Sequence, residues 1–313
     1  METSGVDVGA KPDLSVKMCG LEMGNPLVLA SGIWGTSGML LARAAKSGAG
    51  AVTSKSCSLE AREGHKNPTI VLHEAYVLNA VGLSNPGANA EVEELKEAKK
   101  HCSKIGVPII ASVFARSAEE FAQVAQIVME AKPDAIELNL SCPNVGAEGR
   151  MFACAGEDAA MAVGAVKNAV DVPVFAKLTP SVSDIVGIAK AVEGAGADGI
   201  VAINTMPGML IDAKARMPIL SNKEGGVSGA ALKPIALRAV YQVSRAVEIP
   251  VIGTGGIMNG EDAVEMLMAG AAAVGVGSAI SYHRNALGEI RDEIGVFMKE
   301  NGYGKISELV LQE

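Results

Sequence analysis

One stretch of the chain, Asn139-Leu140-Ser141-Cys142-Pro143-Asn144, puts amides, a hydroxyl and a thiol next to one another. Pro143 ends any strand that precedes it, and Asn144-Val145-Gly146-Ala147-Glu148-Gly149 follows as a loop able to move. A thiol ionises near pH ~8.5, and cations that favour the thiolate make it a useful base near neutrality. Lys55 and Lys177 are candidate sources of that field. The other four Cys lack such a setting and read as structural.

Similar polar residues recur at the ends of short apolar runs. They are Ser31; Lys55 and Ser56; Ser112; Asn139, Ser141 and Cys142; Lys177 and Thr179; Asn204 and Thr205. Such groups are costly to bury unless they meet one another or a ligand. One alone would read as a satisfied core residue, whereas six strands sharing the pattern point to a ligand site. Two further runs end in Gly253-Thr254-Gly255-Gly256 and Gly275-Val276-Gly277-Ser278. Small residues there let backbone N–H groups approach a phosphate. The loop Gly225-Gly226-Val227-Ser228-Gly229 is placed to complete that cradle.

The elements that must carry these residues alternate. Candidate strands cover 25–32, 49–56, 107–115, 134–142, 172–179, 198–205, 249–257 and 271–279. Helical patterns cover 37–47, 88–104, 117–131, 155–170, 181–195, 230–247, 260–269 and 284–301. Glycines after several helices, as in Ala195-Gly196 and Ala269-Gly270, allow a sharp return into the next strand. Eight strands alternating with helices, with no Pro/Ser-rich linker, predict α/β architecture: a single (β/α)8 TIM barrel over 1–313 with long loops after strands 2, 4 and 6. An open doubly wound sheet with an extra subdomain is the alternative. In a barrel, the polar residues fall at strand C-terminal ends, where such folds build their sites, and the loops after strands seven and eight bind phosphate. Gly194-Ala195-Gly196-Ala197-Asp198-Gly199 matches the dinucleotide fingerprint in letters only. It ends a helix and opens a strand, the reverse of what that motif requires.

Composition narrows the partners. The chain has 313 residues, a net charge of −8, 49% hydrophobic residues and 5 Phe, 4 Tyr and 1 Trp. No Lys/Arg run exceeds two residues, which excludes the basic stripe of a nucleic-acid binder. No apolar run reaches the ~18 residues of a membrane helix. Met1 to Lys17 carries Glu2, Asp7 and Asp13 without an apolar segment, so neither signal peptide nor anchor is expected. Five Cys without C-x-x-C spacing, and four His without a ligand pattern, fit a reducing cytoplasm and no bound metal.

Taken in order, these motifs resemble the class 1 dihydroorotate dehydrogenases, in particular the class 1B-like catalytic subunit. The resemblance runs from about Leu14 to the last helix. It is carried by Ala30-Ser31-Gly32, Thr53-Ser54-Lys55-Ser56, Arg62-Glu63-Gly64, the run Leu78 to Gly87, Leu138 to Asn144, Ala176 to Pro180, Ile203-Asn204-Thr205, Gly225 to Gly229 and Thr254 to Ile257.

The resemblance implies oxidation of (S)-dihydroorotate to orotate on FMN in de novo UMP biosynthesis. Cys142 would take the C5 proton while hydride passes from C6 to flavin N5. Ser31, Lys55, Ser56, Asn139, Lys177, Ile203, Gly229, Gly255, Gly256, Gly277 and Ser278 would hold FMN. Lys55, Asn79, Ala80, Val81, Gly82, Leu83, Asn139, Asn204 and Thr205 would hold the substrate. It also implies a homodimer, and a partner subunit carrying FAD and a [2Fe–2S] cluster that relays electrons to NAD+. Cys as base and the lack of an N-terminal extension separate the chain from the membrane-associated class 2 form. Ser112 departs from the Asn of many class 1 enzymes, and Arg150 to Glu157 is unfamiliar. The rival is a dihydropyrimidine dehydrogenase-like flavoenzyme acting on uracil or thymine; Asn79 to Gly87 reads instead as an orotate-type loop. A non-catalytic FMN-binding barrel is a third reading, opposed by Cys142, Lys55 and Lys177.

Overall fold

A computed structural model describes residues 11–141 and 155–312. Strands β1 Leu27–Leu29, β2 Ala51–Thr53, β3 Ile109–Val113, β4 Ala135–Asn139, β5 Val174–Leu178, β6 Gly199–Ala202, β7 Val251–Thr254 and β8 Ala273–Val276 pair in parallel, in sequence order. The ring closes where β8 meets β1, with Val274 opposite Leu27 and Val276 opposite Leu29. Helices α1 Gly38–Lys46, α2 Ala88–Cys102, α3 Ala118–Val128, α4 Gly156–Lys167, α5 Ile185–Gly194, α6 Lys233–Ser244, α7 Gly260–Met268 and α8 Ala286–Glu300 follow the strands in turn. This is the predicted (β/α)8 barrel, each strand and helix lying within its expected segment.

Local chemistry starts and stops the helices. Ser37, Ser117, Asp184 and Asn259 cap α1, α3, α5 and α7, each side chain accepting from a backbone N–H of the first turn. Gly196 and Gly270, just past α5 and α7, take the left-handed φ values of +94° and +111° that turn the chain back.

The period-2 alternation of the strands divides the barrel into two environments. One face of every strand packs outward against helices, as Leu29, Val52, Val113, Leu138, Ala176, Ala202, Val251 and Val276 do. The other face points inward. Val28, Ala51, Ile110, Ala135, Phe175, Val201, Ile252 and Ala273, one per strand, fill the lower interior. The hairpin of Val16–Met18 and Leu21–Met23 seals that end with Met18, Leu21 and Met23. Two residues further along, the inward positions become Ser112, Glu137, Lys177 and Thr254. The interior is therefore apolar at the bottom and polar at the top.

The connections after β2 and β6 are not plain loops. They supply Ile70–His73 and Tyr76–Asn79, and Met206–Met209 and Glu224–Ser228. These four strands form one antiparallel sheet in which Asn79 lies opposite Gly226. Leu78, Ala80 and Leu220 are its buried apolar contacts. The sheet was hidden in the sequence because His73-Glu74-Ala75-Tyr76 has none of the usual turn residues and Pro207 and Gly208 argue against a strand. Most of the connection after β4 lies outside the described residues. No described helix is long and apolar enough to cross a membrane, and no metal-ligating cluster occurs among the described residues.

Candidate active site

Between the polar top of the barrel and the four-stranded roof lies a cavity of about 630 Å³. This is within the range of roughly 300–1,000 Å³ typical of ligand and cofactor sites. Each strand brings a different residue to it. Ser31 follows β1, Lys55 and Ser56 follow β2, Asn139 ends β4 and Lys177 projects from β5. Ile203, Asn204 and Thr205 follow β6; Gly255 and Gly256 follow β7; Gly277 and Ser278 follow β8. The roof adds Asn79, Ala80, Val81, Gly82 and Leu83 from one side and Gly229 from the other. The structure thus brings together every residue assigned to FMN or substrate, while Ser112 stays beneath the cavity and Cys142 lies outside the described residues, as do the residues up to Cys154 of the unfamiliar stretch behind it.

A hydrogen-bonded network ties these residues together below the cavity. Lys177 Nζ donates to Ser31 Oγ at 3.0 Å and lies 3.7 Å from Glu137 Oε1. Ser112 Oγ donates to Glu137 at 2.8 Å and is 2.8 Å from Ser56 Oγ. Asn139 Nδ2 donates to Ser56 Oγ at 3.3 Å, and Asn204 Nδ2 donates to Asn139 Oδ1 at 3.2 Å. Ser112 is fully buried and does not line the cavity. Its hydroxyl supports Ser56 from below.

Lys55 is a buried cation of the site. Burial lowers its pKa, repulsion from Lys177 lowers it further, and the buried Glu91 opposes both. Glu91, on α2 behind Lys55, is 1% exposed. Burial raises its pKa to about 7, an effect that the nearby Ser54 hydroxyl and Lys55 ammonium only partly offset. Ser54 Oγ donates to the Lys55 carbonyl, so neither carboxylate oxygen of Glu91 has a hydrogen-bond partner among the described residues.

The glycine-rich end fits a phosphate. Gly255 and Gly256 hold φ of +132° and +80°, and a Cβ on Gly256 would come within 2.5 Å of the Lys233 backbone nitrogen. Thr254 Oγ1 is buried without a hydrogen-bond partner among the described residues. A Cβ on Gly277 would meet only Ala30 and Ile33, at ordinary contact distances, so protein packing does not require glycine there. The nearby Lys233 ammonium is engaged by Asp262 at 2.6 Å and Glu265 at 2.8 Å, leaving backbone N–H and hydroxyl groups to meet an anion. An orphaned hydroxyl, a glycine cradle and an internal lysine suit a phosphorylated flavin such as FMN.

Sequence reasoning missed Glu137, Glu91 and His65 and underused Arg62. Glu137 stands two residues before Asn139, which by period 2 puts both on the inner face; a charged residue in so apolar a strand was the available signal. Glu91 carried no signal, because an acidic residue in a first helical turn reads as an exposed dipole partner. Arg62 and His65 also line the cavity. They add positive and titratable groups beneath the roof.

A family model described as "Dihydroorotate dehydrogenase" matches residues 13–298. The chain is 48% identical over 288 residues to a Methanocaldococcus jannaschii protein named "Dihydroorotate dehydrogenase B (NAD(+)), catalytic subunit", covering 92% of this chain and 94% of that one. Proteins of the same name from Methanosarcina acetivorans and Pyrococcus abyssi are each 46% identical, over 94% and 95% of this chain and 94% and 98% of their own lengths. Fold, cavity and sequence agree: this chain belongs to the dihydroorotate dehydrogenase family.

Proposed function

We propose that this protein oxidises (S)-dihydroorotate to orotate on FMN in pyrimidine biosynthesis. The carrying observation is the convergence, on one cavity, of the polar strand ends, the Asn79 to Leu83 roof segment and the Gly255-Gly256 cradle. Thr254, Gly255, Gly256, Gly277, Ser278 and Gly229 would hold the phosphate end of FMN. Ser31, Lys55, Ser56, Asn139, Lys177 and Ile203 would line its ring. When bound, FMN supplies the two-electron acceptor for the C6 position of the substrate.

The chain's own residues do the rest. Lys177, fixed between Ser31 and Glu137, would supply positive charge that favours a reduced flavin ring. Cys142, next in sequence after Ser141, would take the C5 proton as thiolate. Lys55 and the backbone of Val81, Gly82 and Leu83 would receive the carboxylate, with Arg62 adding to the local positive charge. Asn79, Ala80, Asn139, Asn204 and Thr205 would grip the ring. The relatives' names specify NAD(+) and a catalytic subunit. Those words support a partner subunit; from the resemblance, that partner would carry FAD and a [2Fe–2S] cluster to relay the electrons, and the barrel itself would form a homodimer.

The test is anaerobic stopped-flow absorbance of the flavin band. Dihydroorotate should bleach it rapidly and dihydrouracil should not. Bleaching by dihydrouracil alone would establish a dihydropyrimidine dehydrogenase-like activity instead, and colour that persists with both would reduce the protein to a flavin binder.

A further inference from the structure

The network beneath the cavity has a direction, and Glu137 sets it. Its carboxylate can only accept hydrogen bonds. It is 3% exposed and takes the Ser112 hydroxyl proton at 2.8 Å. With that proton committed, Ser112 Oγ can only accept from Ser56, 2.8 Å away. Ser56 Oγ, now a donor to Ser112, accepts from Asn139 Nδ2 at 3.3 Å. Asn139 must therefore turn its carbonyl the other way, where Oδ1 accepts from Asn204 Nδ2 at 3.2 Å and Ser141 N at 3.3 Å. Asn204 Oδ1 in turn accepts from Thr205 N at 2.8 Å. Every donor along this chain points toward Glu137. Lys177, 3.7 Å from the carboxylate, reinforces its negative end.

The consequence reaches the ligand. Asn139 and Asn204 both line the cavity, and each has one amide N–H left over; Asn139 Oδ1 already accepts two hydrogen bonds and Asn204 Oδ1 accepts one. Asn79 differs. One Nδ2 hydrogen goes to the Gly226 carbonyl at 3.3 Å, and its Oδ1 stays available to accept beside the second N–H. We propose that Glu137 is a positioning residue that makes Asn139 and Asn204 present donors, so that this wall of the cavity selects ring carbonyls over ring amino groups. The inference rests on the reading of the cavity as a dihydroorotate site and adds the origin of its selectivity. An amino group facing those amides would set donor against donor, a mismatch that sites built on hydrogen bonds reject strongly.

The experiment is calorimetric binding of orotate, and of the two analogues in which one or other ring carbonyl is replaced by an amino group, to FMN-loaded protein. Wild type should prefer orotate to both analogues by at least ~100-fold. In Glu137→Gln the side-chain oxygen turns to Lys177 and the NH2 to Ser112, so the direction of the chain is no longer imposed from that end. In Ser112→Ala the chain is cut with little change in volume, and Ser112→Thr, which keeps the hydroxyl, should behave as wild type. For at least one analogue the preference should fall below ~10-fold in both Glu137→Gln and Ser112→Ala. Equal weakening of all three ligands, with their ratios unchanged, would mean a merely structural role and overturn the inference alone. Wild-type protein that fails to bind orotate would overturn the substrate reading and this inference together.

Discussion

Glu91 offers a direct measurement of what burial costs in this fold. Its carboxyl has an ordinary value of 4.5 and is pushed to about 7 in the folded chain, chiefly by burial. A carboxyl whose folded value lies above its unfolded one holds its proton more tightly when folded. Stability is then full below pH ~4.5, declines as pH rises toward ~7, and stays reduced above. The interval amounts to about 3 kcal/mol at about 1.4 kcal/mol per pH unit, of which 2 to 3 falls between pH 5 and pH 8. Glu91→Gln keeps the shape and removes the charge. The variant should match wild type closely at pH 5 and be more stable at pH 8. At about 2 cal/mol/K of unfolding entropy per residue, the gap in Tm should widen by about 4 °C between the two pH values. Scanning fluorimetry at a matched scan rate reads this directly. A gap independent of pH, or a variant less stable at pH 8, would refute the reasoning, because it would mean that Lys55 and Ser54 already compensate the charge.

Three other outcomes are expected. Cys142→Ser should retain FMN but slow flavin reduction by dihydroorotate by orders of magnitude near neutral pH, since a serine hydroxyl ionises far less readily; a near-normal single-turnover rate would remove Cys142 from proton transfer. Gly256→Ala forces a Cβ against the Lys233 backbone at a left-handed φ, and the purified protein should lose most of its flavin absorbance; full FMN occupancy would show that the cradle is not built there. Phe175→Ala empties the centre of the lower barrel and should lower stability by about 3–5 kcal/mol in urea unfolding at pH 7; a loss below ~1 kcal/mol would mean the surrounding alanines and methionines collapse into the space.

The barrel was readable because its strands and helices differ in period, length and bordering glycines, and those signals are local. Residues at the strand ends, from Ser31 through Thr205, could be assigned to one face of the fold on the same grounds. The roof sheet could not, since one of the two segments it joins turns without turn residues and the other places Pro207, Gly208 and Gly225-Gly226 inside strands. Glu137 and Glu91 escaped for a related reason. Their importance lies in what surrounds them, Lys177 and Ser112 for one and, for the other, a carboxylate without a hydrogen-bond partner among the described residues, and burial of that kind is decided by the tertiary fold.

The bond from Asn79 to the Gly226 carbonyl joins residues 147 positions apart. Loop-closure entropy makes such a contact expensive to form early and easy to hold once the intervening segment has condensed. The roof of the cavity therefore forms only once the segments around Asn79 and Gly226 are brought together. A growing chain that has completed its first four strands already has most of the polar ladder, but it has no roof until Ser228 has been synthesised. Retention of a ligand in that cavity is consequently a report on the integrity of both halves of the barrel, and a half-length fragment, however well folded, has no complete site to offer.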